Sequence, residues 1–180
     1  MFTRILVAVD GSNNADEALT EAIAIVKDQH AQLRIVHVID RAPRSIGLIL
    51  PDLGAFADAA LDSGRKVLGN AERAAREAGV VAEGVLAEIG RNPCPMSSKI
   101  LSEAADWPAD LIVIGAPERA GIRHSLTESV AGDVVHLARV PVLLVHGGQG
   151  PVDRGGRRVE RLSRVVEATR CGPAPVAIGG

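Results

Sequence analysis

Short runs rich in Val, Ile and Leu alternate along the chain with longer amphipathic stretches, the pattern of βα units laid on a parallel sheet. Five runs read as strands: Arg4 to Val9, Gln32 to Ile39, Val80 to Ala87, Leu111 to Gly115 and Val140 to His146. The stretches between them predict helices near Asn14 to Gln29, Ala55 to Ala78, Ser97 to Ala105 and Leu126 to Ala138. A sheet-facing stripe runs through Ala18, Ala22, Ile25 and Val26 of the first, and through Val130, Val134, Val135 and Leu137 of the last. Ser12, Asn13 and Asn14 are candidate caps for the first helix, with Glu17 three residues beyond Asn14 as in a capping box. Right-handed crossovers then give an open α/β sandwich with helices on both faces.

Two breaks interrupt this alternation. Arg41 to Gly54 contains Pro43, Gly47, Pro51 and Gly54, an irregular connection longer than a turn and of the kind that forms lids. After His146 the composition changes to Gly147-Gly148-Gln149-Gly150-Pro151, which is linker chemistry. One folded domain is therefore expected over 1–147, with an extension over 148–180. Within that extension Val159, Leu162, Val165 and Val166 fall at helical spacing, with Arg158, Arg161 and Arg164 on other faces. The segment reads as a weakly ordered extension or a helix docked on its own domain or a dimer mate; contact with a membrane surface or partner is the alternative.

Composition narrows the function classes. A chain of 180 residues with 47% apolar content has ample material for one core. A net charge of −2 offers no basic field toward nucleic acid, and two Phe, one Trp and no Tyr leave no stacking platform for bases. No apolar stretch approaches the roughly 20 residues a membrane span requires, and the start of the chain lacks a leader pattern, so a soluble cytoplasmic protein is expected. Cys94 and Cys171 are too far apart in sequence to suggest a zinc site or disulfide framework. Cys94, between Pro93 and Pro95, is a candidate for a redox role. No metal cluster emerges from the histidines; His30 and His146 sit at element ends, where capping or solvation suits them.

The strand Ile5 to Val9 runs into Asp10-Gly11-Ser12; His37-Val38-Ile39-Asp40 closes the second strand; Asp110 to Gly115 ends another before a loop and helix; and Val140-Pro141-Val142-Leu143-Leu144-Val145 forms the last. In this order the segments resemble the universal stress protein family, over residues 1 to about 147. The resemblance implies a three-layer α/β sandwich on a five-stranded parallel sheet of order 3-2-1-4-5, adenine-nucleotide alpha-hydrolase-like, with a ligand crevice at the switch point between strands one and four. It also implies a homodimer formed through the last strand, Val142 to Val145, whose exposed edge such pairing would protect.

For ATP-binding members the resemblance assigns the adenine and ribose side to Asp10 and the base wall to Val38. The phosphates fall to a motif G-x2-G-x9-G-[ST] at a helix amino terminus, followed here by Val130. Gly115 matches its first glycine and Ser129 its hydroxyl residue, but Glu118 and Glu128 stand where the second and third glycines belong. A carboxylate there places negative charge against negative charge and removes the close backbone approach glycine allows. Two readings of the loop follow. In one, Ser125-Leu126-Thr127-Glu128 is an S-x-x-E capping box and Glu128 itself occupies the anion position. In the other, the phosphate site is remodelled, with Arg119 and Arg123 replacing lost amides, Gly121 keeping the loop adaptable and Glu128 reaching a metal.

The principal expectation is thus a homodimeric stress-response binding or signalling module, with ATP binding weak or lost and an unidentified protein partner. The alternative is a switch that binds ATP or AMP with Mg²⁺ and hydrolyses slowly or not at all. An enzyme on the same scaffold has least support. The chain has no GxxxxGK[ST], its lysines are Lys27, Lys66 and Lys99 alone, and His37, His124 and His136 form no evident nucleophile and base.

Overall fold

The computed structural model describes residues 1–40, 53–89, 94–116 and 129–146. They form β1 (Arg4–Ala8), α1 (Asn13–Gln29), β2 (Gln32–Asp40), α2 (Leu53–Glu77), β3 (Ala82–Ile89), α3 (Met96–Asp106), β4 (Leu111–Ala116), α4 (Val130–Leu137) and β5 (Val142–His146). All pairings are parallel, and the sheet order is β3-β2-β1-β4-β5, the order the resemblance implies.

Side-chain alternation along the strands divides the interior into two cores. Ile5, Val7, Leu33, Ile35, Leu111 and Val113 point to one face, where Ala18, Ala22 and Val26 of α1 and Ala71 and Ala75 of α2 cover them. Leu6, Val36, Ile112, Ile114, Val142 and Leu144 point to the other, beneath Ile100 and Ala104 of α3 and Ala131 and Val134 of α4. With both faces covered, the central strands need apolar residues at every position, which is why β1 and β4 read as continuous hydrophobic runs.

Several expected boundaries move, each for a local reason. Val80 belongs to the turn that caps α2: Gly79 takes φ +78° and the Val80 N–H bonds back to Ala75 O at 2.9 Å, so β3 begins later than the apolar run. β5 starts at Val142, after Pro141. In α4 the expected stripe is half right, since Val134 is buried but Leu137 is 60% exposed and Val130 38%. Ala131 and Gly132 take the inward positions. The helix starts at Val130 with Ser129 as its N-cap, later than the expected start near Leu126; Ser125 and Glu128 of the expected capping box lie outside the described residues. Residues 117–128 and the whole 148–180 extension, including Glu118, Arg119, Gly121 and Arg123, lie outside the described residues.

Candidate functional site

At the carboxyl edge of the sheet the chain leaves β1 and β4 in opposite directions, and a cavity of about 280 Å³ opens between them. That is near the lower bound of about 300 Å³ for ordinary small-molecule sites. It is built from three corners.

The β1 corner is tight. Beyond Ala8, the Val9 N–H still bonds Val36 O at 2.9 Å, and the chain turns through Gly11 at φ +82°. A side chain at Gly11 would be strained and would meet Val67 of α2 at 3.2 Å. The carboxylate of Asp10 accepts the Ser12 N–H at 2.9 Å, and Ser12 in turn accepts the Ala15 N–H at 3.3 Å as the N-cap of α1. Asp10 thus stabilises the turn while remaining exposed on the cavity wall.

Ser12 being the cap, the anticipated Asn14–Glu17 box does not form. Asn14 turns inward, 8% exposed, and its Nδ2 donates to Ala116 O at 2.6 Å. The first turn of α1 thereby lies directly over the end of β4. A Cβ on Gly115 would stand 2.6 Å from Asn14 O and 2.7 Å from its carbonyl carbon. The glycine at this position has a packing cause independent of any phosphate.

On the β4 side, Ser129 accepts the Gly132 N–H at 3.0 Å and starts α4, whose Val130 and Ala131 line the cavity. Ser97, buried in the first turn of α3, donates to Asp133 of α4 at 3.2 Å and ties the two helix starts together. Met96 and Ile100 of α3 add apolar surface next to Val36 and Val38 of β2. The amino termini of α1, α3 and α4 therefore border one cavity, and their dipoles place partial positive charge around it.

Of the residues anticipated from sequence, Asp10, Val38, Gly115, Ser129 and Val130 all line this cavity. Arg119, Gly121 and Arg123 lie outside the described residues. Met96, Ile100 and Asn14 were not anticipated. The first two read as an ordinary i,i+4 apolar pair, and Asn14 as a cap. His37 is on the opposite face, where its Nδ1–H donates to Val9 O at 2.7 Å and its ring abuts Gly64 of α2. Cys94 is exposed just ahead of Pro95, the N-cap of α3. Among the described residues no group of three or more His, Cys, Asp or Glu could hold a metal, and no helix is long and apolar enough to cross a membrane.

An apolar wall, an acceptor at Asp10 and amide donors at a helix start suit a small ligand with an apolar body, hydrogen-bond donors and an anionic end. Architecture and crevice together define an open α/β domain with a cavity at the switch point of its sheet, the place where domains of this class take ligands. The chain belongs to the universal stress protein family, whose model matches residues 1–146. It is 33% identical over 152 residues to the universal stress protein YxiE of Bacillus subtilis, covering 81% of this chain and 99% of that one. A universal stress family protein from Burkholderia pseudomallei matches in structure with a TM-score of 0.63 and 31% identity, over 79% of this chain and 95% of the other. A universal stress protein from Archaeoglobus fulgidus, solved in complex with dAMP, matches with a TM-score of 0.59 and 28% identity, over 79% of this chain and 97% of the other.

Proposed function

We propose that the protein is a stress-response binding module that takes a small adenine nucleotide in the switch-point cavity, binds the triphosphate weakly, and acts as a homodimer through β5. The observation that carries this reading is the convergence of Asp10, Val38, Gly115, Ser129 and Val130, scattered over 120 residues of sequence, on one cavity. The base packs against Val38, the Asp10 carboxylate accepts from the sugar, and the phosphate meets the amides at the start of α4. Support also comes from the A. fulgidus relative, which holds dAMP. Glu118 and Glu128, in the connection between β4 and α4, oppose each added phosphate, so affinity falls from AMP to ATP. Mg²⁺ would be carried in by a triphosphate and partly offset that repulsion.

For the dimer, β5 ends the sheet and pairs only with β4 among the described strands. Its Val142, Leu143, Leu144 and Val145 carry no charge that would discourage a second strand, unlike β3 at the other edge, which presents Glu83 and Glu88.

The test begins with freshly purified protein, denatured and analysed by chromatography for released nucleotide, followed by calorimetric titration with AMP and with ATP plus Mg²⁺. Tighter binding of AMP than ATP, with the preference reduced about tenfold by joint replacement of Glu118 and Glu128 with glycine, supports the reading. ATP binding at least as well as AMP, lost on changing Asp10, would instead establish the ATP/Mg²⁺ switch. Light scattering that gives a monomer at micromolar concentration removes the dimer.

A further inference from the structure

The side chain of Asn14 is used at one end only. Its Nδ2 has a structural task, donating to Ala116 O at 2.6 Å and holding α1 across the end of β4. That contact fixes the orientation of the amide, because the reverse orientation would set one acceptor against another. The other end, Oδ1, is buried and has no hydrogen-bond partner, alone in this among the side chains described. A buried carbonyl left without a donor carries a cost comparable to a lost hydrogen bond, and folded proteins rarely tolerate one without a reason.

Its location supplies the reason. Asn14 is on the wall of the switch-point cavity, between Ser12 and Gly115, at the first turn of α1. A helix start alone favours anions. At this corner the Asp10 carboxylate is exposed on the cavity wall and the Asn14 carbonyl lies buried within that wall; both are acceptors, which disfavour a phosphate and favour a donor. At the α4 corner the lining residues Val130 and Ala131 are the first two of the helix, whose amides have no partner within it.

We propose that Asn14 is a specificity-determining residue of the cavity: its side-chain carbonyl accepts a hydrogen bond from a neutral donor on the ligand, a sugar hydroxyl or a base amine. This assigns the cavity a polarity, with donors at α1 and the anionic end at α4. The proposal rests on the nucleotide reading above, and deepens it by naming the group that reads the uncharged part of the ligand. Because the oxygen is buried, the donor reaches it through a small turn of the carboxamide, so binding also perturbs the Asn14–Ala116 contact.

The test is calorimetric titration of the full chain and of Asn14→Ala with four probes: AMP, its 2′-deoxy and 3′-deoxy analogues, and the analogue lacking the 6-amino group. The wild type is expected to bind one of the three analogues about tenfold more weakly than AMP, and Asn14→Ala to bind that analogue and AMP equally within about twofold. The analogue affected distinguishes hydroxyl from amine. Should Asn14→Ala fail to fold, the side-chain amide signals of Asn14 in the wild-type ¹H–¹⁵N spectrum give the same answer: they shift with AMP and return toward their free positions with the discriminated analogue. Equal binding of all four probes by the wild type, or a loss that persists in Asn14→Ala, overturns the assignment while leaving the nucleotide reading intact. Failure of the wild type to bind AMP at millimolar concentration overturns both.

Discussion

The β1–β4 pair is closed in opposite ways at its two ends. At the amino end Asp110 acts as a clasp. Its Oδ2 accepts from the Thr3 N–H at 2.8 Å and the Thr3 hydroxyl at 2.7 Å, its Oδ1 accepts the Arg4 N–H at 3.0 Å, and its own N–H reaches Arg4 O at 2.9 Å. At the carboxyl end Asn14 alone among the described side chains is hydrogen-bonded between the two branches, and its Oδ1 has no partner. The same two strands are thus saturated where the sheet begins and incomplete where the chain diverges. An open sheet that completed both ends with its own side chains would have no room for a ligand; incompleteness at the switch point is what a binding site costs in stability.

The largest effect should come from crowding the incomplete end. Gly115→Val is expected to destabilise by about 3 kcal/mol, at the upper end for overpacking, because the atoms its Cβ meets are the backbone of Asn14 and Ala15 and cannot rotate away. Gly69→Ala in α2 is the control, since a methyl group there meets nothing within 4 Å. It should stabilise by about 0.5 to 1 kcal/mol through helix propensity. Urea unfolding compares the two, and if both variants matched the wild type, the close crossing of α1 over β4 would be wrong.

Breaking the clasp at the other end should cost less. Asp110→Ala removes the acceptor for three donors at a half-exposed site where water can replace it, so about 1 to 2 kcal/mol is expected. Nucleotide affinity should stay within about twofold, because the cavity lies at the far end of the strands. A large loss of affinity in a folded Asp110→Ala would mean that the two ends are coupled through the sheet and do not act separately.

The two helix starts beside the cavity give a finer comparison. Ser129 holds the Gly132 N–H at 3.0 Å and starts a helix of 8 residues; Ser12 holds the Ala15 N–H at 3.3 Å and starts one of 17. Ser129→Ala should cost about 1 kcal/mol and Ser12→Ala about half as much, measured by thermal or urea unfolding. Equal losses would show that neither hydrogen-bond length nor helix length decides what these caps contribute.

These caps also mark where sequence reasoning reached its limit. The strands were accessible through periodicity, and their order and the placing of Asp10, Val38, Gly115, Ser129 and Val130 at one crevice through the family resemblance, since parallel topology gathers the carboxyl ends of β1, β2 and β4. The competition among local signals was not accessible. Ser125-x-x-Glu128 satisfies the capping-box rule as well as any segment of the chain, yet Ser129 takes the cap, since starting there turns Ala131 and Val134 onto the sheet. Asn14 was equally plausible as a cap by composition. Only the three-dimensional approach of Ala116 O, 102 residues away, shows that it turns inward. Long-range contacts of this kind leave no periodic trace, and a polar residue serving one is indistinguishable in sequence from a polar residue serving a turn.

The smallest expected effect is a change of slope in the acid limb of stability. Burial alone would raise the Asp110 carboxyl, but the Thr3 hydroxyl and the amides of Arg4, Thr3 and Asp110 itself together outweigh it and hold the group below its ordinary value of 3.8. A carboxylate whose folded value is depressed binds fewer protons in the folded than in the unfolded protein between the two values. Its contribution to stability is therefore fully present above about pH 4 and is lost as pH falls through the folded value. Asp110→Asn keeps an acceptor oxygen but has no proton to gain, so its unfolding free energy should fall less steeply than that of the wild type below about pH 4. The difference is limited by the partial exposure of the site, where solvent screens the charge. Parallel acid limbs in urea titrations at stepped pH would mean that Asp110 holds β1 to β4 by geometry alone, with its charge contributing nothing, and the contrast between the two ends of the pair would then rest on hydrogen-bond count and not on electrostatics.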